Sequence, residues 1–184
     1  MRRLTVGSSC VAALLAAAGC KSVAGPSAAP GVSVASLAVT SRSFASGGAI
    51  PVDFTCDGAD RSPELSWSAP PPGTRSFAVL VDDPDAPSGN FTHFVAYDID
   101  ASARELQEGG DPAASGGASG NNDFDRPGYG GPCPPRGQIH HYVFRVYALD
   151  TRLEIDPAVD RSALVAAMSG HVFGEGALVG LYSR

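Results

Sequence analysis

Glycine and proline break this chain so often that, past its first thirty-five residues, only short regular elements fit between the breaks. What lies between them is apolar: Leu37-Ala38-Val39, Ile50 to Phe54, Leu65-Ser66-Trp67, Phe77 to Val81, Phe91 to Tyr97, Tyr142 to Leu149 and Leu178 to Tyr182. Valine and aromatic residues dominate these runs, and such side chains suit a pleated strand. Pro70-Pro71-Pro72-Gly73 and the glycine-rich stretch from Gly109 to Gly131 read as loops, the second with little regular structure of its own. One segment reads as a helix: Asp160 caps a run through Ser162, Leu164, Val165 and Met168, and Gly170 ends it. Many short strands with one or two short helices predict an all-β fold, an antiparallel sandwich or barrel. The 22 Gly and 15 Pro among 184 residues stay below the ~25–30% that marks disorder, so the body folds. The length suits one domain of ~100–150 residues with short appendages.

The first appendage is a leader. Met1-Arg2-Arg3 is followed by an apolar stretch centred on Val11 to Ala18, then Gly19-Cys20. This is signal-peptide order, and the run is too short for a spanning helix, which needs ~20 apolar residues. Ala17-Ala18-Gly19-Cys20 resembles the lipobox of bacterial lipoproteins, with Ala17 where leucine is usual. That resemblance implies lipidation of Cys20, cleavage before it, and a double acyl anchor strong enough to hold a protein on a membrane. The other reading is an ordinary secretory signal cut near Ala18, with Cys20 a free thiol. The expected organisation is therefore a signal peptide over 1–19, a flexible tether of ~50 Å over 20–35, and a domain over 36–184, held at the bacterial cell envelope.

Loss of Arg2 and Arg3 with the leader takes the net charge from −6 to −8, and Lys21 is the only lysine. An acidic body without a basic run is a poor partner for phosphate backbones, so nucleic acid is excluded as a partner, as is direct electrostatic binding to anionic lipid. Cys10 leaves with the leader and Cys20 takes the lipid, which leaves Cys56 and Cys133 in an oxidising compartment. A disulfide between them would close a loop 77 residues long and contribute on the order of 4 kcal/mol by chain entropy. Two buried thiols are the alternative. Neither cysteine sits in a CxxC pair, which argues against thiol chemistry.

Two loops combine rigidity with nearby histidines: Asp82-Asp83-Pro84-Asp85-Ala86-Pro87 after one strand, and Gly131-Pro132-Cys133-Pro134-Pro135-Arg136-Gly137 before another. Proline fixes its own φ and restricts the residue before it, so such loops hold polar groups in one geometry, as a preformed pocket requires. Strand alternation puts His93 on a face with Phe91, Val95 and Tyr97, and His140 with Tyr142 and Phe144. His141 points the other way and reads as an exposed strand residue, and His171 stands alone.

Asp83-Pro84-Asp85-Ala86-Pro87, then His93-Phe94, then Gly131-Pro132-Cys133-Pro134-Pro135 leading to His140-His141-Tyr142, resembles the phosphatidylethanolamine-binding protein (PEBP) family, in its bacterial Raf kinase inhibitor-like branch. Thr55-Cys56-Asp57-Gly58, Ser62-Pro63-Glu64-Leu65-Ser66-Trp67 and Tyr147-Ala148-Leu149-Asp150 match in order, so the resemblance runs from about Leu37 to Arg184. It implies a two-sheet antiparallel β-sandwich with an anion pocket at one end, lined by Asp83, Pro87, His93, His140 and Tyr142. Asp85 and Pro135 are implied to structure the loops. Ser88-Gly89-Asn90-Phe91-Thr92 lacks the tryptophans many bacterial members carry, so the rim is expected to differ.

The expected function is binding of a small anion, a phosphate group or a phospholipid headgroup, without catalysis, metal or other cofactor. Histidine N–H, tyrosine O–H and loop amides suit phosphate oxygens. Two rivals remain. Asp, His and Tyr in one pocket also suit general acid–base hydrolysis of a phosphoester, although no serine stands in a nucleophile-elbow pattern. A protein-interaction module, modulating a protease or kinase through the Gly109 to Gly131 loop, is the other, with no partner specified. Two histidines and an aspartate can ligate zinc, but their spacing matches no usual zinc motif.

Overall fold

The computed structural model describes residues 33–157 and 159–184. The signal peptide, Cys20 and all but the last three residues of the expected tether lie outside the described residues.

Ten strands form in chain order: β1 (Ala35–Ser36), β2 (Val39–Thr40), β3 (Gly48–Ala49), β4 (Leu65–Trp67), β5 (Ser76–Asp83), β6 (Phe91–Asp100), β7 (Glu105–Leu106), β8 (Ala118–Ser119), β9 (Ile139–Leu149) and β10 (Val172–Ser183). The larger sheet runs β1-β10-β9-β5-β6-β8, with β3 also on β10, and the smaller runs β2-β4-β7. The long pairings are antiparallel, as expected. The short ones onto the outer edge of β10 are not: β1 and β3 both lie parallel to it. These two-residue pieces cover an edge that would otherwise present free N–H and C=O groups.

β5 is buried along its whole length, which explains why Phe77 to Val81 is a continuous apolar run rather than an alternating one. One face of the large sheet gives Phe77, Val79, Val81, Phe94 and Phe144 to a core shared with Leu65, Trp67 and Leu106 of the small sheet. Trp67 meets Phe77 with ring centroids 5.1 Å apart. The other face buries Ala78, Leu80, Val95 and Tyr97 beneath α1 (Arg161–Met168), through Leu164 and Met168. The helix lies where the sequence predicts it, and Asp160 caps it by accepting the Ala163 N–H at 2.8 Å.

Two expectations fail locally. Ile50 to Phe54 is not a strand: Pro51 fixes φ at −61° and has no N–H to pair, and the chain turns into a 3₁₀ turn over Val52–Phe54. The stretch from Gly109 to Gly131 holds a 3₁₀ turn over Pro112–Ser115 and strand β8, paired to β6. Buried Asn122 pins the rest of it, donating to Gly128 O at 2.8 Å and accepting the Phe124 N–H at 2.9 Å.

Strict alternation also fails in β6. Val81 pairs with Phe94 and Asp82 with Thr92, so His93 is an extra residue, a bulge that re-aims its side chain. A second irregularity, at Asp98 with φ +54°, follows between the Ala96 and Ile99 pairings. Val95 and Tyr97 therefore fall in the core under α1, while His93 turns the other way and keeps only Phe91 of its expected companions.

Candidate functional site

β5 ends in two carboxylates that point to opposite sides of the sheet. Asp82, fully buried, accepts from Asn90 Nδ2 at 3.1 Å, Thr92 Oγ1 at 3.0 Å, Arg145 Nη1 at 3.2 Å and Arg161 Nε at 3.0 Å. This ties the end of β5 to β6, β9 and α1. Asp83 is equally committed: Oδ1 accepts the Asp85 N–H at 2.9 Å, closing a turn over Pro84, and Oδ2 accepts from His140 Nδ1 at 2.7 Å. Asp83 is 4% and His140 3% exposed, so the pair is shielded from water. On the far side of that ring, Nε2 lies 3.1 Å from the Gln138 side-chain oxygen.

His93 Nδ1 lies 2.7 Å from Gly130 O. A carbonyl only accepts, so Nδ1 carries the proton. Burial lowers the ring's proton affinity, opposed by the Gly130 carbonyl and the charge of Asp83. Its ring is packed edge-on to Tyr142 and Phe124, with centroids 5.2 and 5.4 Å away, and tilts on Phe91 at 5.1 Å.

Asp83, Pro87, His93, Pro135 and His140 line one pocket of about 410 Å³, closed by Ala86, Ser88, Phe91, Phe124, Cys133 and Pro134. Its floor is polar and its mouth is proline and aromatic carbon, the usual make-up of a small-ligand site of that size. Phe91 and Phe124, stacked edge to face at 4.8 Å, form the aromatic part of the rim. Tyr142 is outside the lining. Its hydroxyl is buried with no hydrogen-bond partner among the described residues, and burial, then the charge of Asp83, pushes the phenol's proton affinity up.

The proline loop forming one wall is fastened from behind. Cys56 and Cys133 are disulfide-bonded, with Cα atoms 5.5 Å apart, and Cys56 N–H donates to Pro132 O at 3.1 Å. Gly131 donates its N–H to Asp60 Oδ1 at 2.6 Å. A Cβ at Gly131 would meet Phe54 O at 2.6 Å and Thr55 Cα at 2.8 Å, so only glycine lets the loop lie this close. Arg184 reaches Cys133 Sγ from its Nη1 at 3.4 Å while its Nε holds Asp57.

Asp85 lies on the other side of the loop. Its Oδ2 accepts the His141 N–H at 2.8 Å and His141 Nδ1 at 2.7 Å, and the His141 backbone bond is the chief reason its carboxyl titrates lower than usual. Sequence reading thus missed the partner of His141, the Gln138 contact and the Phe124 wall. Only Gln138 had a local signal, its place two residues before His140 where the chain enters β9. A larger, more open depression of about 640 Å³ runs past Arg61, Asp111 and Tyr129, but no histidine lines it. No helix among the described residues is long and apolar enough to cross a membrane.

The family model described as phosphatidylethanolamine-binding protein matches residues 40–183. The UPF0098 protein of Aquifex aeolicus (strain VF5) is 47% identical over 152 residues, covering 80% of this chain and 89% of its own. A protein named lipoprotein LppC in Mycobacterium tuberculosis (strain ATCC 25618 / H37Rv) is 39% identical over 147 residues, covering 79% of this chain and 72% of its own. Among solved structures, the PEBP homologue CT736 of Chlamydia trachomatis superposes with a TM-score of 0.76 at 33% identity, over 81% of this chain and 98% of its own. YbcL of E. coli, described as a member of the mammalian PEBP family, gives 0.75 at 32%, over 80% and 98%. With the ordered loop motifs now joined around one pocket and the match spanning nearly the whole described chain, the protein belongs to the phosphatidylethanolamine-binding protein family.

Proposed function

We propose that this chain is an exported lipoprotein whose domain, a two-sheet β-sandwich, binds a small anionic ligand such as a phosphate group or a phospholipid headgroup and does not act on it chemically. One observation carries the binding reading: His93 and His140 line the same pocket, and each has its Nδ1 committed to a protein acceptor, Gly130 O and Asp83 Oδ2, both at 2.7 Å. The Gly130 bond leaves recognition at His93 to Nε2, while His140, whose Nε2 lies 3.1 Å from Gln138 Oε1, would exchange that contact for the ligand, in a water-poor setting where polar contacts are strong. The shared core of the two sheets supports the sandwich, and the order of the leader, with a relative named as a lipoprotein, supports the anchor.

The same Asp83–His140 pair has the form of a general base with its orienting carboxylate, which keeps phosphoester hydrolysis as the second reading. The binding reading is tested by following the ring nitrogens of the four histidines by NMR while phosphate is added to the full chain. Saturable shifts at His93 and His140, with His141 and His171 unmoved, are expected. Equal small shifts at all four would mean a bulk ionic effect and defeat the reading, and release of phosphate from p-nitrophenyl phosphate would replace it with hydrolysis.

A further inference from the structure

Resting on the anion-binding reading above, we propose that His93 selects a ligand that brings its own acidic hydrogen, a phosphate monoester bound as its monoanion, and discriminates against a phosphodiester.

The neutral ring of His93 carries its proton on Nδ1. Gly130 O, 2.7 Å from Nδ1, holds it there. Gly130 cannot swing away, because its own N–H donates back to His93 O at 2.9 Å, so the two residues grip each other twice. The neutral ring then offers a bare lone pair at Nε2.

A second proton on the ring meets resistance. The side chain is 3% exposed and walled by Phe91, Phe124 and Tyr142. The charged groups around it are already engaged. From β5, Asp83 holds His140 and the Asp85 N–H, and Asp82 holds Arg145 and Arg161. From β9 come His140, bound to Asp83, and the uncharged phenol of Tyr142. From the loop after β8, Asp123 accepts the Thr92 N–H at 2.6 Å, while Arg126 pairs with Asp60 at 3.3 Å and covers Phe124 at 5.8 Å. Burial therefore dominates, and the ring remains neutral.

An anionic oxygen facing that lone pair repels it unless a hydrogen lies between them. A phosphate monoester, with a second pKa of ~6, supplies a P–OH at small cost near neutral pH. A diester has none to give. His93 thus separates two ligand types that share a phosphate ester and an ammonium group, and binding of the favoured one takes up a proton from solution.

The test is calorimetric titration of the full chain with phosphoethanolamine, a monoester, and glycerophosphoethanolamine, a diester with the same ammonium group. Both are run in two buffers of different ionisation heat, at about pH 7.5, where the free monoester is mostly dianion. The expected result is uptake of about one proton with the monoester, by linkage, and diester binding weaker by at least about tenfold, the effect of one lost charge-assisted hydrogen bond. His93→Gln, whose amide donates at any pH, should bring the two ligands within about twofold and remove the proton uptake. Equal binding of the two ligands by the natural chain, or monoester binding without proton uptake, overturns the proposal while leaving anion binding intact. No heat from either ligand overturns the anion-binding reading itself. If the variant fails to fold, the proton count on the natural chain still decides.

Discussion

Asp83 lines the pocket with both oxygens bonded inside the protein, an arrangement suited to orienting His140. The residue beside it carries a more testable cost. Tyr142 buries a hydroxyl without a partner, a defect worth about 1–3 kcal/mol in a folded protein. Tyr142→Phe should therefore leave stability unchanged or raise it by about 1 kcal/mol in urea unfolding, and leave ligand binding within about twofold, because Tyr142 is outside the pocket lining. A clear loss of stability would show that the hydroxyl is bonded in the folded protein. The sequence showed Tyr142 and His140 on one face because β9 pairs with β10 without a bulge there. It did not show that Asp83 is consumed by His140, or Asp85 by His141, because both contacts join elements more than fifty residues apart.

At the scale of elements, the bulge in β6 decides the character of the site. One extra residue opposite Val81 turns His93 away from Val95 and buries its ring against aromatic neighbours. Period-two reading cannot find such an insertion, because it assumes the alternation the bulge breaks. The consequence is a pH effect with a definite sign. His93 titrates in the fold below its ordinary value of 6.5, so the unfolded chain binds a proton there before the folded one does. Its contribution is complete above pH 6.5 and is lost as pH falls through the folded value. The carboxyls of Asp57, Asp85, Asp100 and Asp160 are all lowered from 3.8, so theirs is lost only below that. The melting temperature should therefore decline as pH falls below 6.5, before the carboxyls begin to titrate, and His93→Gln should flatten that part of the profile. Parallel profiles for the two proteins would show that His93 is not the group responsible. The helix was legible because a cap, an apolar face and a terminal glycine coincide locally. The 3₁₀ turn after Pro51 was not, since apolar Ile50 to Phe54 packs into the core in a shape that periodicity does not distinguish from a strand.

On the scale of the whole molecule, a net charge of −6 with a single lysine offers little electrostatic hold on an anionic membrane. In the lipoprotein proposed above, attachment rests on Cys20. Labelling cells with an alkyne palmitate should mark the full chain, and Cys20→Ser should abolish the label; a label that survives would move the anchor elsewhere. The overall β architecture was readable because turn residues and apolar runs are local signals, and the resemblance supplied the assembly that local signals lack. The central claim is that an anion binds between His93 and His140, and the most direct measurement is a calorimetric titration of the full chain and its His140→Ala variant with inorganic phosphate. The account predicts saturable heat from the natural chain, and its loss in a variant that still melts cooperatively. Heat that persists undiminished in the folded variant, or none from the natural chain, would contradict it.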